Sequence, residues 1–147
     1  QRLNASTRPL IEKAMTSLIY KILRPHEWAE ATTTDAYKGA PVDVADGFVH
    51  FSAVTQVAET AERHFDDADR IHLLGFAPEA FPTDALKWEK SRGGDLFPHL
   101  YAPLDVALAR ERLTLTRRID GTFDFSFLKE SIRDSLKRNK ARNGKKG

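Results

Sequence analysis

The chain contains no cysteine. That absence excludes disulfide bonds, thiolate nucleophiles and zinc sites built on Cys ligands, and it is typical of proteins from a reducing compartment, so we expect a cytoplasmic location. No apolar run is long enough to span a bilayer. The N-terminal stretch lacks the continuous apolar segment of a secretory signal. We therefore expect no membrane partner.

The sequence motifs of several large enzyme classes are also missing. The chain has no G-x-x-x-x-G-K-[ST] phosphate loop, no G-x-G-x-x-G after a strand, no H-E-x-x-H and no G-x-S-x-G. The chain has five histidines: His26, His50, His64, His72 and His99. Because no two of them are separated by the short spacing typical of metal ligands, we expect no bound metal. Of these, the sequence context of His26, His64 and His72 favours surface or half-buried positions.

The composition indicates one globular domain with two atypical ends. The chain has 147 residues, of which 41% are hydrophobic and 30% charged, which suits a single packed core. We divide it into an N-terminal extension (residues 1–14), a globular domain (15–128) and a basic tail (129–147). The tail carries eight Lys or Arg residues against two acids. Because no aromatics are interleaved with these cations, a solvated end is favoured over a nucleic-acid surface.

Local patterns predict an α+β fold. Two helical segments are indicated, at 26–32 and 53–65, and the tail is amphipathic for about two turns. Regular strand–helix alternation is missing, so we expect a mostly antiparallel, strongly bent sheet with two main helices. Strand patterns fall at residues 18–23, 47–52, 70–76, 86–88, 96–101 and 112–117.

The segment from Asp84 to Leu104 concentrates binding chemistry. Gly93 and Gly94 permit positive φ and a close approach of the backbone to a ligand. Arg92 beside them offers a planar cation for a phosphate or carboxylate. Two interpretations stay open: a binding loop, or a hairpin in which Arg92 pairs with Glu89.

Two histidines lie inside apolar strand patterns. Such a histidine is more often a hydrogen-bonded core residue, but His50 and His99 each lie near a junction or glycine loop, which favours a shared cleft in which they act as proton carriers. Asp46 is either a turn residue, a ligand of a ribose hydroxyl, or a group that orients His50. Ser52 is placed to cap the next helix, where free N–H groups favour an anion.

Taken together, these motifs resemble a known family. The bacterial family called domain of unknown function 952 carries similar segments over about Leu18 to Arg117. The resemblance is carried by Ile19–Ile22, Trp28, Asp43, Asp46–Ser52, Thr60-Ala61, Leu86–Glu89, Ser91–Gly94 and Phe97–Tyr101. It implies an ADP-ribosyltransferase-like fold, with the RNA 2′-phosphotransferase type as the closest analogy.

That resemblance also implies a cofactor and a set of site residues. NAD would be the cofactor, with His50 near the nicotinamide ribose and His99 and Tyr101 on the opposite wall. Arg92 with the Gly93-Gly94 backbone would meet the pyrophosphate, and transfer would pass through an oxocarbenium-like ribosyl centre. Lys21 departs from the pattern, because many transferases of this fold place a His or Arg there.

Three functions follow as hypotheses. The first is an NAD-dependent ADP-ribosyl or RNA 2′-phosphate transferase with His50 and His99 as catalytic residues. The second is a module that binds a nucleotide or another phosphate-bearing small molecule without chemistry. The third is an adaptor that binds nucleic acid or protein through the basic tail.

Overall fold

The computed structural model describes the backbone of residues 17–146 and the side chains to residue 140, except that of Arg92. The predicted extension, residues 1–14, lies outside the described residues. The described residues form seven strands: β1 (Ile19–Leu23), β2 (Val49–His50), β3 (Ser52–Ala53), β4 (Arg70–Phe76), β5 (Leu86–Lys90), β6 (Leu96–Leu100) and β7 (Glu111–Thr116). In the same part of the chain there are four α-helices: α1 (Pro25–Ala31), α2 (Pro41–Asp46), α3 (Val57–His64) and α4 (Lys129–Lys146).

The strands form two antiparallel sheets. One has the order β3-β1-β4-β7 and the other the order β2-β6-β5, and each described pairing is antiparallel. The α+β prediction is thus confirmed, although the expected single bent sheet is replaced by two. Short 3₁₀ turns complete the described fold at Pro78–Ala80, Arg92–Gly94, Val106–Leu108 and Ser126–Leu128.

One short segment, Val49–Ala53 (the corner segment), contributes a strand to each of the two sheets. The sequence predicted a continuous strand here, but the strand divides at Phe51. β2 pairs with β6, with His50 opposite His99, while β3 pairs with β1, with Ser52 opposite Tyr20. Phe51 is 2% exposed and packs its ring against other buried aromatics, so burial of this ring fixes the point where the chain changes sheet.

This corner corrects the predicted role of Ser52 as a helix cap. Ser52 lies in β3, and the following helix begins only at Val57, after a turn in which Gln56 is the N-cap residue. The predicted helix over 53–65 is therefore four residues too long at its start. Backbone pairing of Ser52 with β1 took precedence over its capping propensity.

Pro98 occupies a central strand, although proline within a sheet is usually confined to an edge strand or a bulge. β6 lies between β2 and β5. The Pro98 carbonyl accepts a hydrogen bond from Phe51 N–H at 3.0 Å. Since the N and C=O of one strand residue point to the same side, the missing N–H of Pro98 faces the place where β2 ends and the chain crosses to β3. The missing N–H of Pro98 therefore removes no hydrogen bond from the β2–β6 ladder, because β2 already ends at this point.

Each face of the four-stranded sheet covers a hydrophobic core. The core between the sheets contains Ile19, Leu23, Ala31, Tyr37, Val49, Phe51, Leu74, Phe76, Phe81, Leu100, Leu104 and Val106. The core on the opposite face contains Tyr20, Ile22, Val54, Val57, Ala61, Ala68, Ile71, Leu73 and Leu128. Because side chains alternate along a strand, Lys21 shares its face of β1 with Ile19 and Leu23, between the two sheets.

Two helices differ from the sequence-based expectation. Neither of the two helical segments indicated by the sequence, 26–32 and 53–65, includes Pro41–Asp46, which forms α2. The basic tail was predicted to be helical for about two turns, whereas α4 runs for 18 residues and packs Ile132 against the core that contains Leu128. None of the helices described between residues 17 and 146 has the length and apolar character needed to cross a membrane.

We predict that Leu128 anchors α4 to the body. Leu128, in the 3₁₀ turn that leads directly into α4, is 2% exposed, whereas Leu136 on α4 is 56% exposed. Leu128→Ala should lower the free energy of unfolding by about 2 to 4 kcal/mol, measured by urea denaturation, and the matched control Leu136→Ala should change it by less than about 0.5 kcal/mol. Equal effects of the two substitutions would contradict this docking.

Candidate functional site

A cavity of about 860 Å³ opens beside the corner segment. Its wall is contributed by β1, α1, α2, the corner segment, α3 and β6, and it includes Lys21, Asp43, His50, Ser52 and His99. The volume lies within the range of sites that hold small molecules and cofactors. Folding thus brings the two histidines that the sequence singled out to one concave surface.

The base of this site is the carboxylate of Asp43, whose side chain has no exposed surface. α2 begins with Pro41 at its first position and has Asp43 at its third, an arrangement in which an acidic side chain turns back to the N-cap residue. The Asp43 Oδ2 atom accordingly accepts the Ala40 N–H at 2.8 Å. Gly39 precedes this turn with φ of 106°, a conformation that favours glycine.

Lys21 supplies the countercharge for this carboxylate. Its ammonium lies 2.9 Å from Asp43 Oδ2, and the two side chains are 7% and 0% exposed. Lys21 Nζ also donates to the His50 carbonyl at 3.0 Å. A buried ion pair is tolerated only when hydrogen bonds satisfy its remaining atoms, and here the pair links β1 to α2 and to β2.

His50 completes the set of donors to Asp43. The His50 N–H donates to Oδ1 at 3.0 Å, and ring atom Nδ1 lies 2.6 Å from the same oxygen. Burial by itself would raise the pKa of Asp43, but the hydrogen bond from His50 and the charge and hydrogen bond of Lys21 outweigh it and hold that pKa at about 2. Asp43 is therefore ionised, and Nδ1 of His50 carries the proton of their hydrogen bond.

The other ring nitrogen of His50 also faces a carboxylate. His50 Nε2 lies 3.0 Å from Asp46 Oδ2, and Asp46 is 47% exposed. A doubly protonated ring donates to both carboxylates, whereas a neutral ring with its proton on Nδ1 satisfies only Asp43. Of the roles considered for Asp46, orientation of His50 is the one this contact supports. Because Asp46 is half exposed, its side chain can turn away and leave Nε2 open to the cavity.

His99 forms a second carboxylate–imidazole pair. Its Nδ1 lies 2.8 Å from Glu89 Oε1, and the Tyr101 hydroxyl donates to the same oxygen at 2.7 Å. These hydrogen bonds, first from Tyr101 and then from His99, lower the pKa of Glu89, and the contact with Glu89 raises the pKa of Tyr101. Among the described residues no hydrogen bond engages His99 Nε2, and His99, although only 4% exposed, is one of the residues that line the cavity.

Phe48 holds the two imidazoles in a fixed relation. Its ring stacks on His99 at 4.0 Å between centroids and contacts His50 at 4.6 Å. The two histidine rings are 5.5 Å apart in an edge-to-face arrangement. Both rings have Nδ1 on a carboxylate, so in both the atom that can exchange a proton with a ligand is Nε2.

The remaining predicted site residues are more dispersed. Ser52 lines the cavity, and its hydroxyl donates to Thr60 Oγ1 at 3.0 Å. Gly93 and Gly94 have φ of 69° and 83° and lie exposed in the loop between β5 and β6. The side chain of Arg92 lies outside the described residues. Neither the two glycines nor Tyr101 is among the described residues that line the cavity.

The structure adds residues to the cavity wall that the sequence did not assign. His26 and His64 line it, while His72 stacks on Trp28 at 5.4 Å and lies elsewhere. Arg24 also lines it and holds Asp67 through two contacts, of 2.8 and 3.1 Å. Among the described lining residues, the carboxylates Glu27, Asp43, Asp46 and Asp67 outnumber the cations Lys21 and Arg24.

We predict that Asp43 stabilises the fold in a pH-dependent way. Its pKa is lowered from 3.8 to about 2, so its contribution is fully present above about pH 4 and is lost as the pH falls through about 2. The shift corresponds to about 2 kcal/mol of unfolding free energy. A ¹³C NMR titration of the Asp43 carboxyl should give a midpoint near 2, and a midpoint near 4 would contradict the network described above.

We also predict that Gly39 is required for the position of Asp43. A Cβ at Gly39 would lie 2.4 Å from Asp43 Cβ, whereas one at Gly47, which also has positive φ, would meet nothing within 4 Å. Gly47→Ala should therefore cost about 1 kcal/mol for its backbone conformation alone, and Gly39→Ala should cost about 2 to 4 kcal/mol and shift the His50 ring resonances. Thermal unfolding and NMR of both variants check this; equal costs with unmoved His50 resonances would refute it.

Comparison with known proteins agrees with these motifs. Residues 22–111 match the family described as "Protein of unknown function (DUF952)". The crystal structure of Protein CC0527 from Caulobacter crescentus is 42% identical and covers 75% of this chain and 96% of that one, with a TM-score of 0.69. Its solution NMR structure gives 44% identity, coverage of 71% and 90%, and a TM-score of 0.62. No curated protein matches the chain. Because the family match spans more than half of the sequence, the chain belongs to the DUF952 family.

Proposed function

We propose that the cavity binds NAD and that the protein acts as an NAD-dependent ADP-ribosyl or RNA 2′-phosphate transferase, on a fold of the ADP-ribosyltransferase type. One observation carries the proposal. Two imidazoles from different strands, His50 and His99, stand 5.5 Å apart on the wall of one cavity. Each has its Nδ1 within hydrogen-bonding distance of a carboxylate oxygen.

The excess of carboxylates on the cavity wall suits the nicotinamide ring of NAD better than its pyrophosphate. Four carboxylates face two cations among the described lining residues, and Lys21 and Arg24 are already paired with Asp43 and Asp67. Such a wall favours the cationic nicotinamide ring over a phosphate. The pyrophosphate would then lie at the rim, where the family resemblance puts Arg92 and the glycine loop.

Three carboxylates have distinct parts in this proposal. Asp43 keeps His50 in one orientation, and Glu89 does the same for His99. Asp46, half exposed beside His50, is suited to accept hydrogen bonds from ribose hydroxyls. A wall of this sign also stabilises the positive charge that passes from the nicotinamide ring to the ribosyl centre as neutral nicotinamide departs.

NAD would supply the ribosyl group and a neutral nicotinamide leaving group. His99 Nε2, which carries no described hydrogen bond, would take the proton of the attacking acceptor. His50, which holds its proton on Nδ1 through its contact with Asp43, would accept a hydrogen bond at Nε2 from a ribose hydroxyl once Asp46 moves aside, since nicotinamide leaves as a neutral molecule and takes no proton. In this assignment both histidines are catalytic residues, and Lys21 and Asp43 are positioning residues.

A second function has one observation in its favour. Asp46 occupies the space in front of His50 Nε2, so of His50 and His99 only His99 has an Nε2 without a described contact to a carboxylate. A site in which one of these two imidazoles is blocked is compatible with a module that binds a nucleotide or another phosphate-bearing molecule without turnover. The two functions differ in whether nicotinamide is released.

The experiment combines NAD binding with turnover. Titration with NAD to millimolar concentration should shift the amide resonances around His50 and His99 in a saturable way, and nicotinamide should be released with water as the acceptor. His99→Asn, which retains a donor near Glu89 but lacks Nε2, should lower that release about 100-fold. The control His72→Asn, at a histidine away from the cavity, should leave it unchanged.

Other outcomes separate the two functions. Saturable shifts without nicotinamide release over hours would favour the binding module. No shift near either histidine would reject NAD as the ligand of the cavity.

A further inference from the structure

We propose that α4 is a binding surface for the phosphate backbone of a nucleic-acid duplex, used without reading the base sequence. Leu128, Ile132, Ser135 and Arg138 lie on the buried or half-buried side of this part of the chain. Spacings of three and four residues define one face of a helix, and this face is directed at the body. The opposite face is left to solvent.

The solvent face carries a stripe of cations. The basic stripe consists of Lys129, Arg133, Lys137 and Lys140, all exposed and spaced four, four and three residues apart. Such spacing aligns the four side chains along the helix axis. The sequence places further cations beyond the stripe, at Arg142, Lys145 and Lys146.

The stripe has no close countercharge from the body among the described residues, although Lys129 acts on Asp124 at longer range. Among residues 17–140, the described ion pairs within 4.0 Å include none from these four side chains, nor from the neighbouring acids Glu130 and Asp134. Arg118, by contrast, contacts two carboxylates. Unpaired cations aligned on a rigid helix favour a partner that is itself a regular array of negative charge.

The composition and length of α4 favour duplex DNA over single-stranded nucleic acid, anionic lipid and duplex RNA. No aromatic residue occurs in 129–146, so stacking on single-stranded bases is not offered. Leu128 before the helix and Ile132 within it pack against the body, and Leu136 is the large apolar side chain left exposed among the described residues of the helix, which is too little apolar surface to insert into a lipid bilayer. A helix of 18 residues is about 27 Å long and fits the major groove of B-form DNA, whereas the major groove of A-form RNA is too narrow.

The surface is also separate from the proposed NAD site. α4 lies beyond residues 22–111, which the family model matches. The relative from Caulobacter crescentus is covered over 96% of its length by 75% of this chain, so about a quarter of this chain has no counterpart there. Duplex binding by α4 therefore does not depend on the proposed activity of the cavity.

The test measures the salt dependence of duplex binding by the full chain. A 20-base-pair DNA duplex should bind with a log–log salt slope of about −4 if the four stripe residues each contact a phosphate. Arg133→Gln with Lys137→Gln should reduce the size of that slope by about 2 and weaken binding about 10-fold at low salt. The charge-matched control Arg63→Gln with Arg70→Gln removes two exposed cations elsewhere and should bind as the unaltered protein does.

Each other outcome overturns the proposal. Equal losses in the two double variants would show a net-charge effect without a specific surface. Tighter binding to single-stranded DNA of the same length, or to vesicles that contain anionic lipid, would assign the helix to another partner. Circular dichroism confirms that each variant keeps the helix, and unchanged nicotinamide release or NAD binding separates this result from that of the cavity.

Discussion

The buried carboxylate of Asp43 is the interaction on which the site depends. It receives a donor from Lys21 in the four-stranded sheet, two from His50 in the three-stranded sheet and one from the backbone before α2. A buried charge that loses a partner costs several kcal/mol. The arrangement in which all these donors contact Asp43 is therefore strongly favoured over one in which any of them has moved away. The cavity wall is thus fixed by electrostatics at the junction of the two sheets.

Much of the fold follows from local pattern. β1 and β4 are long apolar runs rich in β-formers, and their positions agree with prediction because periodicity and burial favour the same state. The shared cleft of His50 and His99 was predicted from their sequence context, because each lies inside an apolar strand pattern near a junction or a glycine loop. Asp43 had a local signal that went unused: Pro41 and an acid two residues later mark the start of a helix.

Other features depend on distant contacts that no local pattern records. The split of the corner segment follows from where Phe51 is buried. The full length of α4 follows from Leu128 and Ile132, because its many charged residues give an apolar face too weak to predict. The pairing of Lys21 with Asp43 joins residues 22 positions apart, and neither residue alone indicates a buried ion pair.

The corner segment has a consequence for how this family can vary in length. Side chains alternate along a strand, so an inserted or deleted residue between Val49 and Ala53 would turn each following side chain of the segment to the opposite face of its sheet. His50 would turn into the apolar layer, or Phe51 would turn out to water, and pairing would be lost in both sheets at once. Indels should therefore accumulate in the exposed loop around Gly93 and Gly94 and be purged from this five-residue junction.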